Sequence, residues 1–99
     1  MTRSPVSKRL KEARIAAGFS QKSLGIAAGI DEFSASARMN QYETGKHAPD
    51  YLMLTRIAKI LKVPTAYFYT ESDEMAELVR IYGRLKKSEK AGLIKKLGD

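Results

Sequence analysis

The chain has 99 residues, 43% of them hydrophobic, no cysteine and a formal net charge of +7. That length allows one compact domain with an appendage, and the missing cysteines exclude disulfides, a thiolate nucleophile and cysteine metal ligands. A basic balance favours a polyanionic partner, and the excess is local: Arg3, Lys8, Arg9, Lys11, Arg14 and Lys22 stand against Glu12 alone between Met1 and Ile30.

Apolar residues recur with helical spacing along the chain and strand alternation is nearly absent. In a first helix Val6, Leu10, Ala13 and Ala17 share one face, with Gly18 as its stop. Ser20 caps a short second helix that carries Leu24, Ala27 and Ala28, and Gly29 ends it. The stretch ASARMNQYETGK supplies a third, closed by Gly45. Asp50 caps a fourth, in which Leu54, Ile57, Ala58 and Leu61 make the clearest stripe of the chain. Pro64 suits the first turn of a short fifth helix, PTAYFY, because its missing N–H is not needed there. Beyond Glu71, the residues Met75, Leu78, Val79 and Tyr82 form another stripe, and Ser88 caps a last helix with Leu93, Ile94 and Leu97. The expected fold is all-α: a bundle of five short helices over residues 1–70, followed by a helical tail over 71–99. No apolar run reaches the length of a membrane span and no signal-peptide core follows Met1, so the expected location is the cytoplasm, with no membrane partner.

The third helix is unusual in its polarity. At about 100° per residue, Ala35, Met39 and Tyr42 fall together and face inward. Ala37, Arg38, Gln41 and Thr44 fall opposite, with Asn40 at the flank. Arg and Gln pair bidentately with guanine and adenine edges, alanine can touch a thymine methyl, and a major groove admits one α-helix. An ordinary solvated face would use some of the same residue types. Glu43 separates the two readings, because the wheel puts it beside Met39, where an unpaired carboxylate is expensive. Arg14, four residues after Leu10 on the apolar stripe of the first helix, is the predicted partner.

These residues resemble a family. SQKSLGIAAGI, MNQYETGK and PDYLMLTRIAKILKVPTAYFY are similar to the lambda-repressor/Cro-like (XRE-type) helix-turn-helix domain, over about residues 6–70. The resemblance implies that the third helix lies in the major groove and that dimers straddle two half-sites about one helical turn apart. It implies that Gln21 grips a phosphate and braces the third helix. Ser36, Ala37 and Gln41 become the principal base-facing positions, with Arg38 and Asn40 beside them, and Thr44, Lys46 and His47 approach the DNA backbone. Arg14 and Glu43 match the family's interhelix ion pair.

The chain departs from the family's pattern at two places. Gly25 stands where alanine is usual; it loosens a helix by about 0.5–1 kcal/mol relative to Ala but permits closer approach. The interval from Gly29 to Met39 is four residues longer than usual, the extra length lying within IDEFSASA. If these residues extended the third helix backwards, Phe33 would point to the DNA side. The expectation is instead a helix that starts near Ser34 or Ala35, with Phe33 turned inward to anchor a longer loop.

Elsewhere the sequence shows little chemistry. His47 is a lone imidazole without cysteines nearby, which argues against a metal site. Glu71, Asp73 and Glu74 read as complements to a helix dipole. Tyr51, Tyr67, Phe68 and Tyr69 read as core and domain-closing residues, and Lys86, Lys87, Lys90, Lys95 and Lys96 as a solvated face. No phosphate loop, nucleophile elbow or catalytic dyad is present, so neither an enzyme nor a cofactor is expected. The expected function is that of a sequence-specific double-stranded DNA-binding regulator, a repressor that acts on a palindromic operator as a homodimer. The arginines and lysines of helix one and of the Lys46 loop supply its phosphate contacts. The tail contributes to self-association or packs on its own domain. Two alternatives stay open: an antitoxin-like or adaptor protein that binds a protein partner through the tail, and an RNA binder, which the lack of exposed paired aromatics disfavours.

Overall fold

Every regular element among residues 4–98, which the computed structural model describes, is helical. In order these are α1 (Val6–Ala16), α2 (Gln21–Ala27), α3 (Glu32–Thr44), α4 (Tyr51–Leu61), a 3-10 helix (Thr65–Tyr69), α5 (Asp73–Arg84) and α6 (Lys87–Leu97). The all-α expectation is met, element for element, with a 3-10 helix in place of the fifth member of the bundle. The starts follow the side chains that can bind orphan N–H groups. Ser20 accepts from Ser23 N at 2.9 Å, Asp50 from Met53 N at 2.8 Å and Ser72 from Met75 N at 3.0 Å. Gly29 and Gly45 close α2 and α3 with φ of +94° and +80°, a region costly for a residue with Cβ.

The core is one cluster. Val6, Leu10 and Ala13 of α1 meet Leu24 of α2, Ala35, Met39 and Tyr42 of α3, and Leu54, Ile57, Ala58 and Leu61 of α4. Tyr67 and Phe68 of the 3-10 helix close it edge to face, with ring centroids 5.6 Å apart. Tyr51 and Tyr69, expected in the same role, are exposed instead. Tyr51 sits at the first position of α4 and Tyr69 at the last of the 3-10 helix, each at the rim of its element.

Three boundaries differ from those read in the sequence. Pro64 lies just outside the 3-10 helix in extended conformation (ψ 148°) rather than within its first turn. Lys86, not Ser88, is the N-cap of α6, and Glu89 reaches back to Lys86 N at 2.8 Å. α3 starts at Glu32, capped by Asp31, so the four additional residues become helix rather than loop.

The inward face of α5 is small rather than large. Ala76 is buried, Val79 packs against the core, and Gly83 lies so close to Pro64 that a Cβ there would sit 2.5 Å from the proline Cγ. Met75 and Leu78, from the expected stripe, are 49% and 55% exposed, and Ile81 continues their outer row. The helix is seated at its N-terminus by Arg9, whose side chain is only 2% exposed. Arg9 donates to the carbonyls of Thr70 (2.9 Å) and Glu71 (3.1 Å) and pairs with Asp73 (2.9 Å) and Glu12 (3.1 Å). α6 buries no residue.

Candidate nucleic-acid interface

The geometry of α3 begins with its crossing on α2. A Cβ on Gly25 would lie 2.9 Å from both Cβ and O of Ala35, closer than real Cβ contacts come. The two helices therefore meet backbone to backbone at a point where alanine would push them apart. Ile30 N donates to Gly25 O at 2.9 Å, which binds the turn to the same place. Glycine at this position and an α3 that starts early belong together, since the added turn brings Ala35 onto α2.

The C-terminal half of α3 is held by charge. Arg14 Nε and Nη2 reach the two carboxylate oxygens of Glu43 at 2.5 and 3.0 Å, and Arg14 Nη1 donates to Phe19 O at 2.9 Å. The Glu43 side chain is 3% exposed and that of Arg14 13%, so the fork-to-fork pair is largely shielded from water. Gln21 extends the network, its amide donating to Glu43 Oε1 and Asn40 Oδ1, each at 3.2 Å. Three helices are thus tied through four side chains, and no buried side-chain polar atom among the described residues is left without a partner. The arrangement fixes the roll of α3 about its own axis and presents one face outward.

That face carries Ser36, Ala37, Arg38, Asn40 and Thr44 exposed, with Gln41 half-buried. Beyond it, Gly45 turns the chain so that His47 N donates to Gln41 O at 3.2 Å, and Lys46 and His47 stand exposed beside the end of α3. All the site residues read from the sequence therefore lie on α3, on its following loop or, for Gln21, at the start of α2.

Two expectations near this surface are corrected. Phe33 is not an inward anchor: it stands 93% exposed on the first turn of α3. The signal was present in the sequence, because Asp31 is a strong N-cap residue and its carboxylate accepts from Phe33 N at 3.0 Å. The arginines of helix one are not available for phosphate, since Arg14 is bound to Glu43 and Arg9 is buried against the start of α5. The position of Arg9 was legible too: Val6, Arg9 and Ala13 follow i, i+3, i+7 spacing on the buried side. Of the lysines, Lys8 is itself engaged, pairing with Asp73 at 3.2 Å. Arg3 lies outside the described residues.

Among the described residues no group of three or more His, Asp or Glu side chains could hold a metal, and no helix is long and apolar enough to cross a membrane. No family model and no curated protein matches the chain. Among solved structures it matches the crystal structure of transcriptional regulator BswR with a TM-score of 0.85 and 48% sequence identity, over 92% of this chain and 90% of that one. With a likeness of that closeness over nearly the whole of both chains, the protein belongs to the transcriptional-regulator family that includes BswR.

Proposed function

We propose that the protein is a sequence-specific double-stranded DNA-binding regulator of the lambda-repressor/Cro-like (XRE-type) class, with α3 as the helix that enters the major groove. The observation that carries this reading is the outer face of α3. It is polar and open at Arg38 and Asn40, small at Ser36 and Ala37, and its roll is locked by the Arg14–Glu43–Gln21–Asn40 network. An ordinary solvated helix gains little from such fixation, whereas base readout depends on holding donors and acceptors in register with base edges.

In this reading Ser36, Ala37, Arg38, Asn40 and Gln41 face bases. Gln21, Thr44, Lys46 and His47 meet the backbone, and residues 1–70 form the DNA-binding domain. The protein acts in the cytoplasm by occupying a palindromic operator as a homodimer and blocking transcription, and the tail over 71–99 supplies the dimer contact. The exposed row Met75, Leu78 and Ile81 on α5 supports that assignment, because a contiguous apolar row on a helix is usually covered. The same row favours a second reading, an adaptor that binds a protein partner through its tail; such a protein would tolerate Gln41→Ala without loss of DNA affinity.

The test is selection of the purified protein against a random pool of duplexes at near-physiological salt. An enriched palindrome is the expected result, and its half-site spacing reports the dimer geometry. Retention without enrichment would leave only phosphate attraction and overturn the reading.

A further inference from the structure

The additional N-terminal turn of α3 carries the most exposed large apolar side chain among the described residues, Phe33 at 93%. Single exposed apolar residues are common on protein surfaces and need no role. Phe33 differs in where it stands. On a helix of about 100° per residue, Phe33, Ala37, Gln41 and Thr44 fall within about 80° of one another, so the phenyl ring continues the outward row of α3 by one turn. The first turn is also ordered by its own hydrogen bonds, Asp31 Oδ2 accepting from Phe33 N and Asp31 O from Ser34 N, both at 3.0 Å. Asp31 and Glu32 immediately precede Phe33 and are exposed, and their carboxylates would repel phosphate, which leaves this end of the helix unsuited to a DNA backbone contact. What it offers is a flat carbon surface at the edge of a row of base-facing side chains.

We infer that Phe33 is a specificity-determining residue that packs against the C5 methyl of thymine in the major groove, so that one part of each half-site is read by apolar contact. This rests on the reading of α3 proposed above. The thymine methyl is the one apolar group that base edges display in that groove, and phenylalanine is among the side chains that contact it. Unstacking wedges work chiefly from the minor groove and do not depend on the methyl.

The experiment uses the duplex enriched from the random pool, prepared once with thymine and once with uracil throughout, which removes only the methyl groups. Dissociation constants are measured on both for the full-length protein, Phe33→Ala and Phe33→Leu. Wild type should bind the uracil duplex about 3- to 10-fold more weakly, the effect of one or two buried methyls. Phe33→Ala should lose a similar factor on the thymine duplex and bring the thymine-to-uracil ratio close to one, while Phe33→Leu should keep most of it. Thermal unfolding of both variants should match wild type, because the ring touches no core residue. A ratio unchanged in Phe33→Ala overturns the inference, whether affinity is retained or falls equally on both duplexes. Failure of the pool to enrich any sequence would instead overturn the DNA-reading role of α3, and the inference with it.

Discussion

Arg9 and Arg14 leave α1 about 140° apart and serve two ends of the molecule by different physics. Arg14 meets a carboxylate that is 3% exposed, in a bidentate pair that must be complete because either charge alone would be stranded. Arg9 is the more buried arginine, yet its acid Asp73 is 76% exposed, and two of its bonds go to backbone carbonyls. The α1–α3 contact is therefore an ion pair inside the protein, and the α1–α5 contact is a cationic cap on a chain reversal. The half that carries α3 is held by a shielded ion pair, with the outer face of α3 left open. Of the tail, α5 is seated at its start by Arg9 and along its length by Ala76, Val79 and Gly83, with Met75, Leu78 and Ile81 left outside.

The sharpest way to break this contrast is at Arg14. Arg14→Met should cost about 3–5 kcal/mol in urea unfolding, since it leaves Glu43 buried without a counter-charge. An unchanged midpoint would mean that Glu43 escapes to water and that the two arginines are alike after all. Gly25→Ala comes next, with about 1–3 kcal/mol expected from forcing a methyl into the backbone of Ala35, measured in the same way. A neutral result would show that α2 and α3 can separate freely at their crossing. On the function proposed above, Gln41→Ala should lose about 1–3 kcal/mol of binding at one base pair, while Gln21→Ala weakens all sequences alike; equal losses across sequences for both would remove base reading from α3.

The tail is tested more gently. Leu78→Glu with Ile81→Glu places charge on the outer row of α5 without touching Ala76 or Val79, so the fold should persist; if the tail makes the dimer contact proposed above, sedimentation mass should fall from dimer to monomer. An unchanged mass would put self-association elsewhere. The smallest effect is expected from acid. The bonds from Arg9, and then Lys8, hold the Asp73 carboxyl below its usual value. Its contribution is thus complete above the ordinary carboxylate range and is lost as pH falls through the lowered folded value. Asp73→Asn should leave stability at low pH unchanged, where the carboxyl is protonated in both states, and lower it slightly at neutral pH, so that the acid limb of a stability–pH profile is flatter; the effect is small because the carboxylate is exposed.

The sequence by itself determined the local chemistry. Asp50 and Ser20 announce helix starts because their side chains bind the N–H groups of the first turn, and the stripe Leu54, Ile57, Ala58, Leu61 announces a buried face because spacing alone puts those residues on one side. Even the meeting of Arg14 and Glu43 could be read, since each sits on the apolar side of its own helix and carries an opposite charge. What only the tertiary structure decided was which of two plausible faces turns inward. On α5 Met75, Leu78 and Ile81 stay outside, while Ala76, Val79 and Gly83 turn inward beside Pro64 and the 3-10 helix and Tyr82 is half-buried. On α3, whose inward residues Ala35, Met39 and Tyr42 the wheel already gave, the open point was whether the added turn is helix or loop; it is helix, capped by Asp31, and Phe33 therefore faces outward. Periodicity fixes which residues share a face, but the space available on the neighbouring element selects the face that is buried.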